Sequence, residues 1–168
     1  MRTAYSRIFN TKRRMYMKTV VSKMMVLVMS ALLLCAAVAQ ADDKADAVKM
    51  VKEAVALYKA SGMEKTLDAL NDPKGQFVKG SLFVFAFDEN GTLLANATAP
   101  EKVGQNLLEV PDSKGKKFRK EFVELAKKDG SGWVDYTNIN PKTKLDEPKT
   151  SYIEKAGELI IGCGIYKK

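Results

Sequence analysis

The 168-residue sequence contains no histidine and only two cysteines. Without histidine the chain cannot form a Ser-His-Asp triad, a Cys-His nucleophile pair, a histidine-ligated zinc site or a c-type haem attachment. General acid–base chemistry would then depend on carboxylates, lysine or tyrosine. The pattern of these residues reveals no nucleophile beside a base. We therefore predict no enzymatic activity, no catalytic residues, no metal site and no cofactor.

Acidic residues are absent from positions 1–41, which hold seven lysines and arginines. The whole chain has 28 basic and 20 acidic residues, a formal charge of +8. Residues 42–168 therefore carry 21 basic against 20 acidic residues, a net charge of +1. Such a balance gives little electrostatic attraction to a phosphate backbone, so nucleic acid is not a predicted partner.

Positions 24–39 form an uncharged apolar run that follows the basic residues and precedes Ala39-Gln40-Ala41. This order predicts a secretory signal peptide over residues 1–41 and export of residues 42–168 to the periplasm. At 16 residues the run is shorter than the roughly 20 that a membrane-spanning helix needs. Two alternatives stay open: an uncleaved anchor in the inner membrane, and translation that begins at Met17.

Cleavage would leave Cys163 as the one cysteine, so no internal disulfide could form. It lies within the apolar pattern Ile161-Gly162-Cys163-Gly164-Ile165. Free cysteine is among the most buried residue types, so we interpret Cys163 as a small buried hydrophobe. An intermolecular bridge or a reactive thiol is the alternative.

Hydrophobic periodicity divides residues 42–168 into helices followed by strands. Apolar residues three and four apart predict an amphipathic helix over 43–60 that ends at Gly62, and a short second helix from Met63. Five strands follow, which together with the helices predicts an α+β fold with an antiparallel sheet. The other predicted elements are a break at 71–75, strands at 81–87 and 92–96, a loop at 100–115, a helix at 116–128, a strand at 133–138, a loop at 139–148, and strands at 149–154 and 159–166.

The strand over 81–87 is apolar on both of its faces, which predicts a central strand that is covered on both sides. The two alternating sets are Leu82, Val84 and Ala86, and Phe83, Phe85 and Phe87.

The basic run over 114–120 includes Arg119 and precedes Glu121 and Glu124. Mixed charge of this kind is typical of a solvated helix face, with phosphate binding as the alternative.

A series of short motifs follows in order along residues 43–166. In that order they resemble the single Cache domain family, the extracytoplasmic, PAS-like sensor domains of bacteria. The main matching stretches are Lys74-Gly75-x-Phe77-Val78, Leu82-Phe83-Val84-Phe85, Asp88-x-Asn90-Gly91, Gly104-Gln105-Asn106-Leu107-Leu108, Gly130-x-Gly132-Trp133-Val134-x-Tyr136, Lys149-x-Ser151-Tyr152-Ile153 and Gly162-Cys163-Gly164-Ile165-Tyr166.

The resemblance implies a PAS-like five-stranded antiparallel sheet with a long N-terminal helix on one face and a ligand pocket on the other, under loops. Family members bind small organic molecules, often short carboxylates, and usually form the sensing part of a chemoreceptor or histidine kinase. Two departures stand out. The sequence ends two residues after Tyr166 without a cytoplasmic output domain, and Asn96 stands where many members have histidine. Asparagine still donates and accepts hydrogen bonds, but it carries no charge.

The candidate ligand site combines an apolar wall with a few polar groups, as small ligands require. Lys149 is the candidate partner of a ligand carboxylate, and Tyr136 or Tyr152 would add a hydroxyl. Strict alternation places Trp133 and Tyr136 on opposite faces of the sheet. Core packing of the aromatic residues and a solvated Lys149 are the alternatives. The predicted ligand-binding residues are Phe83, Phe85, Asn96, Trp133, Tyr136, Lys149 and Tyr152.

These inferences predict a periplasmic domain, residues 42–168, that binds a short organic acid or similar polar solute. It would act as a soluble sensor or binding subunit for a membrane receptor or kinase. One alternative is a membrane-anchored sensory subunit that keeps its N-terminal helix. Another is a protein-interaction module that forms a homodimer through the long helix over 43–60.

Overall fold

The structure, a computed structural model, describes residues 43–167. The predicted signal peptide, residues 1–41, lies outside that range, as do the alternatives of an anchor and of a start at Met17. Within the described range, neither helix combines the length and hydrophobicity that crossing a membrane requires.

Helix α1 covers residues 43–71. Its apolar residues recur every three or four positions, so one stripe faces the sheet. Gly62 has a φ of 81°, a left-handed conformation that interrupts the regular helix at the predicted residue. The turns on the far side of Gly62 continue directly, so the two predicted helices form one element. The fully buried residues of the stripe are Ala47, Met50, Val51, Ala54, Val55 and Leu70.

Within residues 43–167, six strands form one antiparallel sheet. Their order across the sheet is β1–β2–β6–β5–β4, and β3 also pairs with β2. Helix α2 (Phe118–Asp129) precedes β4, and a single 3-10 turn covers Pro100–Lys102. The strands are β1 (Val78–Lys79), β2 (Leu82–Asp88), β3 (Leu93–Asn96), β4 (Ser131–Ile139), β5 (Asp146–Ala156) and β6 (Leu159–Tyr166).

Strands β1 and β3 lie along the same edge of β2. The Val84 N–H donates to Phe77 O, and the Asp88 N–H donates to Thr92 O. Residues an even number apart donate toward the same edge of a strand. The sheet is therefore five strands wide, which confirms the predicted PAS-like α+β architecture, and the two-residue β1 is an addition.

The two faces of the sheet are buried by different elements. Helix α1 packs against the face that carries Val84, Ala86 and Ile161. Helix α2 packs against the face that carries Phe85 and Ile160. Strand β2 is thus covered on both sides, as its alternating pattern predicted.

Strands β4 and β5 are longer than predicted, because the loop expected over 139–148 is confined to 140–145. Proline cannot donate to a sheet, so Pro148 is an unfavourable residue for a strand interior. In the structure, Pro148 O accepts from the Lys167 N–H. The nitrogen of Pro148 faces the same edge, beyond the end of β6 at Tyr166, so its missing N–H removes no bond within the β5–β6 ladder.

Candidate functional site: a cationic aromatic cavity

A cavity of about 330 Å³ lies between the α2 face of the sheet and the loops that follow β3 and β4. Its apolar lining comes mainly from aromatic rings on β2, α2, β4 and β6. Its outer lining comes from exposed residues at 98–102 and 139–144. The aromatic residues are Phe83, Phe85, Phe87, Phe118, Phe122, Tyr136 and Tyr166.

The aromatic residues pack against one another and fix the shape of the cavity. Phe118 stacks on Tyr136 with ring centroids 4.0 Å apart, and Phe122 stacks on Phe85 at 5.8 Å. These pairs join α2 to β4 and β2. Offset and edge-to-face ring pairs contribute about 0.5–1.5 kcal/mol beyond their buried area, so these contacts stabilise the wall.

Lys149 lies at the inner end of the cavity and is only 1 % exposed. Its ammonium lies 4.5 Å from the ring centroid of Phe83 and 4.6 Å from that of Tyr166. Two cation–π contacts hold the side chain in place. Within residues 43–167, no aspartate or glutamate forms an ion pair with it.

Burial lowers the pKa of Lys149 from its ordinary 10.5 to about 8, because the charged form loses hydration. The neighbouring Cys163 offers no counter-charge, since burial raises the pKa of its thiol to about 12. The interpretation of Cys163 as a buried hydrophobe agrees with this burial.

Two glycines on β6 create the space for the inner end of the cavity. A Cβ on Gly164 would overlap Lys149 Cε and Ser151 Oγ. A Cβ on Gly162 would lie 2.6 Å from the Phe85 ring. Alternate small residues on this strand therefore make room for a lysine and a phenylalanine from the neighbouring strands.

Tyr136 lies directly across from Lys149 in the β4–β5 register. Its hydroxyl and Ser151 Oγ are 2.9 Å apart in a buried hydrogen bond. Burial raises the pKa of Tyr136 well above its ordinary value, so the phenol stays neutral. The Tyr166 hydroxyl donates to Ile139 O, which ties the end of β6 to the end of β4.

Asn96 faces the cavity from β3, opposite Phe85 in the register. Asn96 Oδ1 accepts from the Thr98 N–H at 3.0 Å and lies 2.9 Å from the Thr98 hydroxyl oxygen. The Asn96 main-chain N–H donates to Asn71 Oδ1 at the end of α1. With the oxygen engaged, the side-chain NH₂ is the group that Asn96 can offer to a ligand.

Arg119 also lines the cavity, and the sequence interpretation had placed it on a solvated face. Its guanidinium lies 4.2 Å from the Phe118 ring centroid and donates to Val110 O. Burial lowers the pKa of Arg119 from its ordinary value, but the group stays charged. The available signal was helical spacing, since Arg119 stands three residues before the inward Phe122.

The cavity mouth carries three further charges: Lys102, Lys144 and Glu101. The loop that bears Lys144 is closed by hydrogen bonds between Asn140 and Leu145 and between Lys144 and Asn140. The cavity therefore combines four cationic side chains with one carboxylate.

Five of the seven predicted site residues line the cavity: Phe83, Phe85, Asn96, Tyr136 and Lys149.

The other two, Trp133 and Tyr152, lie on the α1 face of the sheet with ring centroids 5.6 Å apart. Lys44 of α1 lies 5.2 Å from the Trp133 ring. Both residues have the opposite strand parity to Tyr136 and Lys149, which takes their side chains away from the cavity.

Within residues 43–167, no cluster of acidic or cysteine side chains is arranged to hold a metal ion.

A long helix on one face of an antiparallel sheet and a loop-covered cavity on the other define a PAS-like sensor fold. A family model described as a Cache domain (dCache_2) matches residues 36–168. The chain belongs to the Cache domain family.

Solved structures agree with this assignment. A periplasmic sensor domain of a chemotaxis protein is 26 % identical, with a TM-score of 0.62 over 79 % of this chain and 97 % of that one. A methyl-accepting chemotaxis protein from Vibrio parahaemolyticus is 20 % identical, with a TM-score of 0.66 over 80 % and 95 %. A Cache chemosensory domain described for carboxylic acid recognition is 23 % identical, with a TM-score of 0.58 over 71 % and 85 %. The latter two share the fold.

Proposed function

We propose that this Cache domain is an extracytoplasmic sensor domain that binds a small organic acid in the aromatic cavity. The observation that carries the proposal is Lys149, a buried cation without an ion-pair partner among residues 43–167. A buried charge is destabilising unless it is paired. A ligand carboxylate would supply the missing partner.

The remaining lining residues suit such a ligand. Arg119 adds a second cation, and the Asn96 NH₂ group adds a neutral donor. The aromatic rings would bury the apolar part of the molecule. A volume of about 330 Å³ falls at the small end of the roughly 300–1,000 Å³ range of ligand pockets, which favours a short acid.

The similarity to a periplasmic sensor domain of a chemotaxis protein supports a sensory role with a membrane receptor or kinase as the partner. We propose that the domain is exported through a signal peptide over residues 1–41 and acts in the periplasm. Sequencing the N-terminus of the exported protein tests this. A start at Asp42 supports cleavage. If the exported protein still contains residues 24–39, the membrane-anchored form is supported instead.

Ligand binding is tested by thermal unfolding of the exported protein with acetate, propionate, glycolate and succinate, together with amines and amino acids. A ligand that binds only the folded state at 100 times its dissociation constant stabilises that state by about 2.7 kcal/mol. We expect an acid to raise the melting temperature of the wild type and Trp133→Phe equally. Trp133 is the control because it lies on the other face of the sheet.

Lys149→Met should weaken the affinity for that acid at least about tenfold, since hydrogen bonds to charged groups contribute roughly 1.5–3 kcal/mol. Lys155→Met is the matched control, because Lys155 is on the same strand and pairs with Glu89 at the surface. Equal ligand-induced shifts in Lys149→Met and Lys155→Met would rule out Lys149 as the ligand's partner. No shift with any acid would contradict the proposed function and favour a protein-interaction role.

A further inference from the structure

The Lys149 side chain presents a primary amine at a fixed position in the cavity. Its ammonium touches the faces of Phe83 and Tyr166, and its Cε fills the space that Gly164 leaves by lacking a Cβ. The side chain is 1 % exposed, so it cannot swing into bulk solvent without leaving this packing. A small molecule that enters the cavity therefore meets the amine in one orientation.

The environment of Lys149 favours the neutral amine more strongly than the environment of a surface lysine does. No carboxylate among residues 43–167 pairs with it, and the nearby Cys163 thiol and Tyr136 phenol are both neutral. With a pKa of about 8, about a quarter of the amine is unprotonated at pH 7.5, against about a thousandth for an ordinary lysine. The neutral amine is the nucleophile in lysine chemistry, and desolvation in an apolar pocket activates it.

We propose that Lys149 captures small aldehydes and 2-oxo acids in the cavity as a reversible imine. The Nζ lone pair attacks the carbonyl carbon and forms a C–N bond. The carbonyl oxygen takes one proton from Nζ and one from solvent and leaves as water, which yields the protonated imine. No oxidant or reductant takes part, and the proton taken from solvent accounts for the positive charge on Nζ. This chemistry uses the cavity of the proposed function but goes beyond non-covalent acid binding.

The position of Arg119 favours 2-oxo acids among carbonyl compounds. The Arg119 guanidinium lies on the Phe118 ring, Phe118 stacks on Tyr136, and Tyr136 lies across the strand from Lys149. Both cations therefore line the same cavity. A carbonyl compound that also carries a carboxylate would be attracted to this lining more strongly than a neutral aldehyde.

The experiment treats the full chain with glyoxylate and sodium cyanoborohydride at pH 7.5, then maps the modified lysines by peptide mass spectrometry over time. Cyanoborohydride reduces the imine to a stable amine. We expect Lys149 to be labelled about tenfold faster than the exposed Lys52. The lowered pKa of Lys149 increases its neutral fraction, and this gain exceeds the loss of nucleophilicity that accompanies the lower pKa. Glycolate, which has no aldehyde or ketone group and cannot form an imine, should slow labelling of Lys149 and leave labelling of Lys52 unchanged.

The time course for the wild type decides the proposal without requiring that a variant fold. Labelling of Lys149 that is no faster than that of Lys52 overturns carbonyl capture. If glycolate still raises the melting temperature in that case, the proposed acid-binding function stands and only the covalent step fails. Lys149→Arg should lose the fast adduct and retain the slow surface labelling, and a fast adduct at another lysine in this variant would also overturn the assignment.

Discussion

The two faces of the sheet use the same strands but are packed differently. The α1 face is packed mainly by buried aliphatic and small side chains, with Trp133 and Tyr152 also on this face. The α2 face carries aromatic rings and a lysine around a cavity of about 330 Å³. Strand β6 shows the contrast within a single segment, because its alternate residues are Ile161, Cys163 and Ile165 on the α1 face and Gly162 and Gly164 on the cavity face.

This difference separates stability from recognition. Close packing on the α1 face supplies contacts that depend on no ligand. On the other face, space that side chains leave open lacks those contacts, and a buried cation without an ion-pair partner among residues 43–167 adds a further cost. A ligand that fills the space and pairs with Lys149 would recover both, so we infer that the α1 face stabilises the domain and the cavity face responds to its ligand.

Ile161→Ala is the strongest test of the α1 face. Ile161 is fully buried in the α1 core, and truncation of such a residue costs about 2–5 kcal/mol because a void remains. We expect urea unfolding to show this loss, while the folded variant binds the wild-type ligand with unchanged affinity. A weakened affinity at temperatures where the variant is folded would show that the two faces are not independent.

Gly164→Ala perturbs the cavity face by adding an atom, whereas Ile161→Ala removes atoms from the α1 face. The new Cβ would overlap Lys149 Cε and Ser151 Oγ. Overpacking of this kind typically costs about 1–3 kcal/mol, and here it also displaces the proposed ligand partner. We expect a lower free energy of unfolding together with reduced ligand affinity.

Gly132→Ala is the matched control, since its Cβ would meet only the flexible end of Leu125 at 3.1 Å. Equal ligand affinity in the two glycine variants would mean that the position of Lys149 is not critical.

The fold was largely predictable because each element carries its own periodicity. The stripe on α1, the interruption at Gly62 and the two apolar faces of β2 are all local patterns. The early start of β5 at Asp146 was not predictable, because Pro148 is tolerated only through its position beyond the end of β6. The position of Pro148 in the sheet therefore outweighs the local tendency of proline to interrupt a strand.

The site was predictable only in part, for a different reason. Alternation gives the relative faces of Trp133 and Tyr136, but it does not say which face holds the cavity. The burial of Lys149 depends on Gly164 in a neighbouring strand, a relation that appears only once the β5–β6 register is known. Arg119 was missed because the mixed charges around it are typical of a solvated helix face.

The smallest expected effect concerns the charge on Lys149 and uses pH to change it without changing packing. The folded-state pKa, about 8, lies below the ordinary 10.5 that we assign to the unfolded chain. Between these values the unfolded state binds more protons, so stability rises with pH. Relative to Lys149→Met, the wild type should gain on the order of 1 kcal/mol in free energy of unfolding from pH 7 to pH 9.

The difference between the two proteins isolates Lys149 from other titrating groups. Cys163 and Tyr166, whose pKa values burial raises to about 12, contribute the opposite slope at high pH, but both proteins retain them. A parallel pH dependence of the two proteins would mean that Lys149 keeps an ordinary pKa. An acid that pairs with Lys149 raises its pKa again, so a saturating acid should remove the wild-type gain. A gain that persists with the acid bound would place that acid away from Lys149, and the cavity face would then lose its proposed ligand partner.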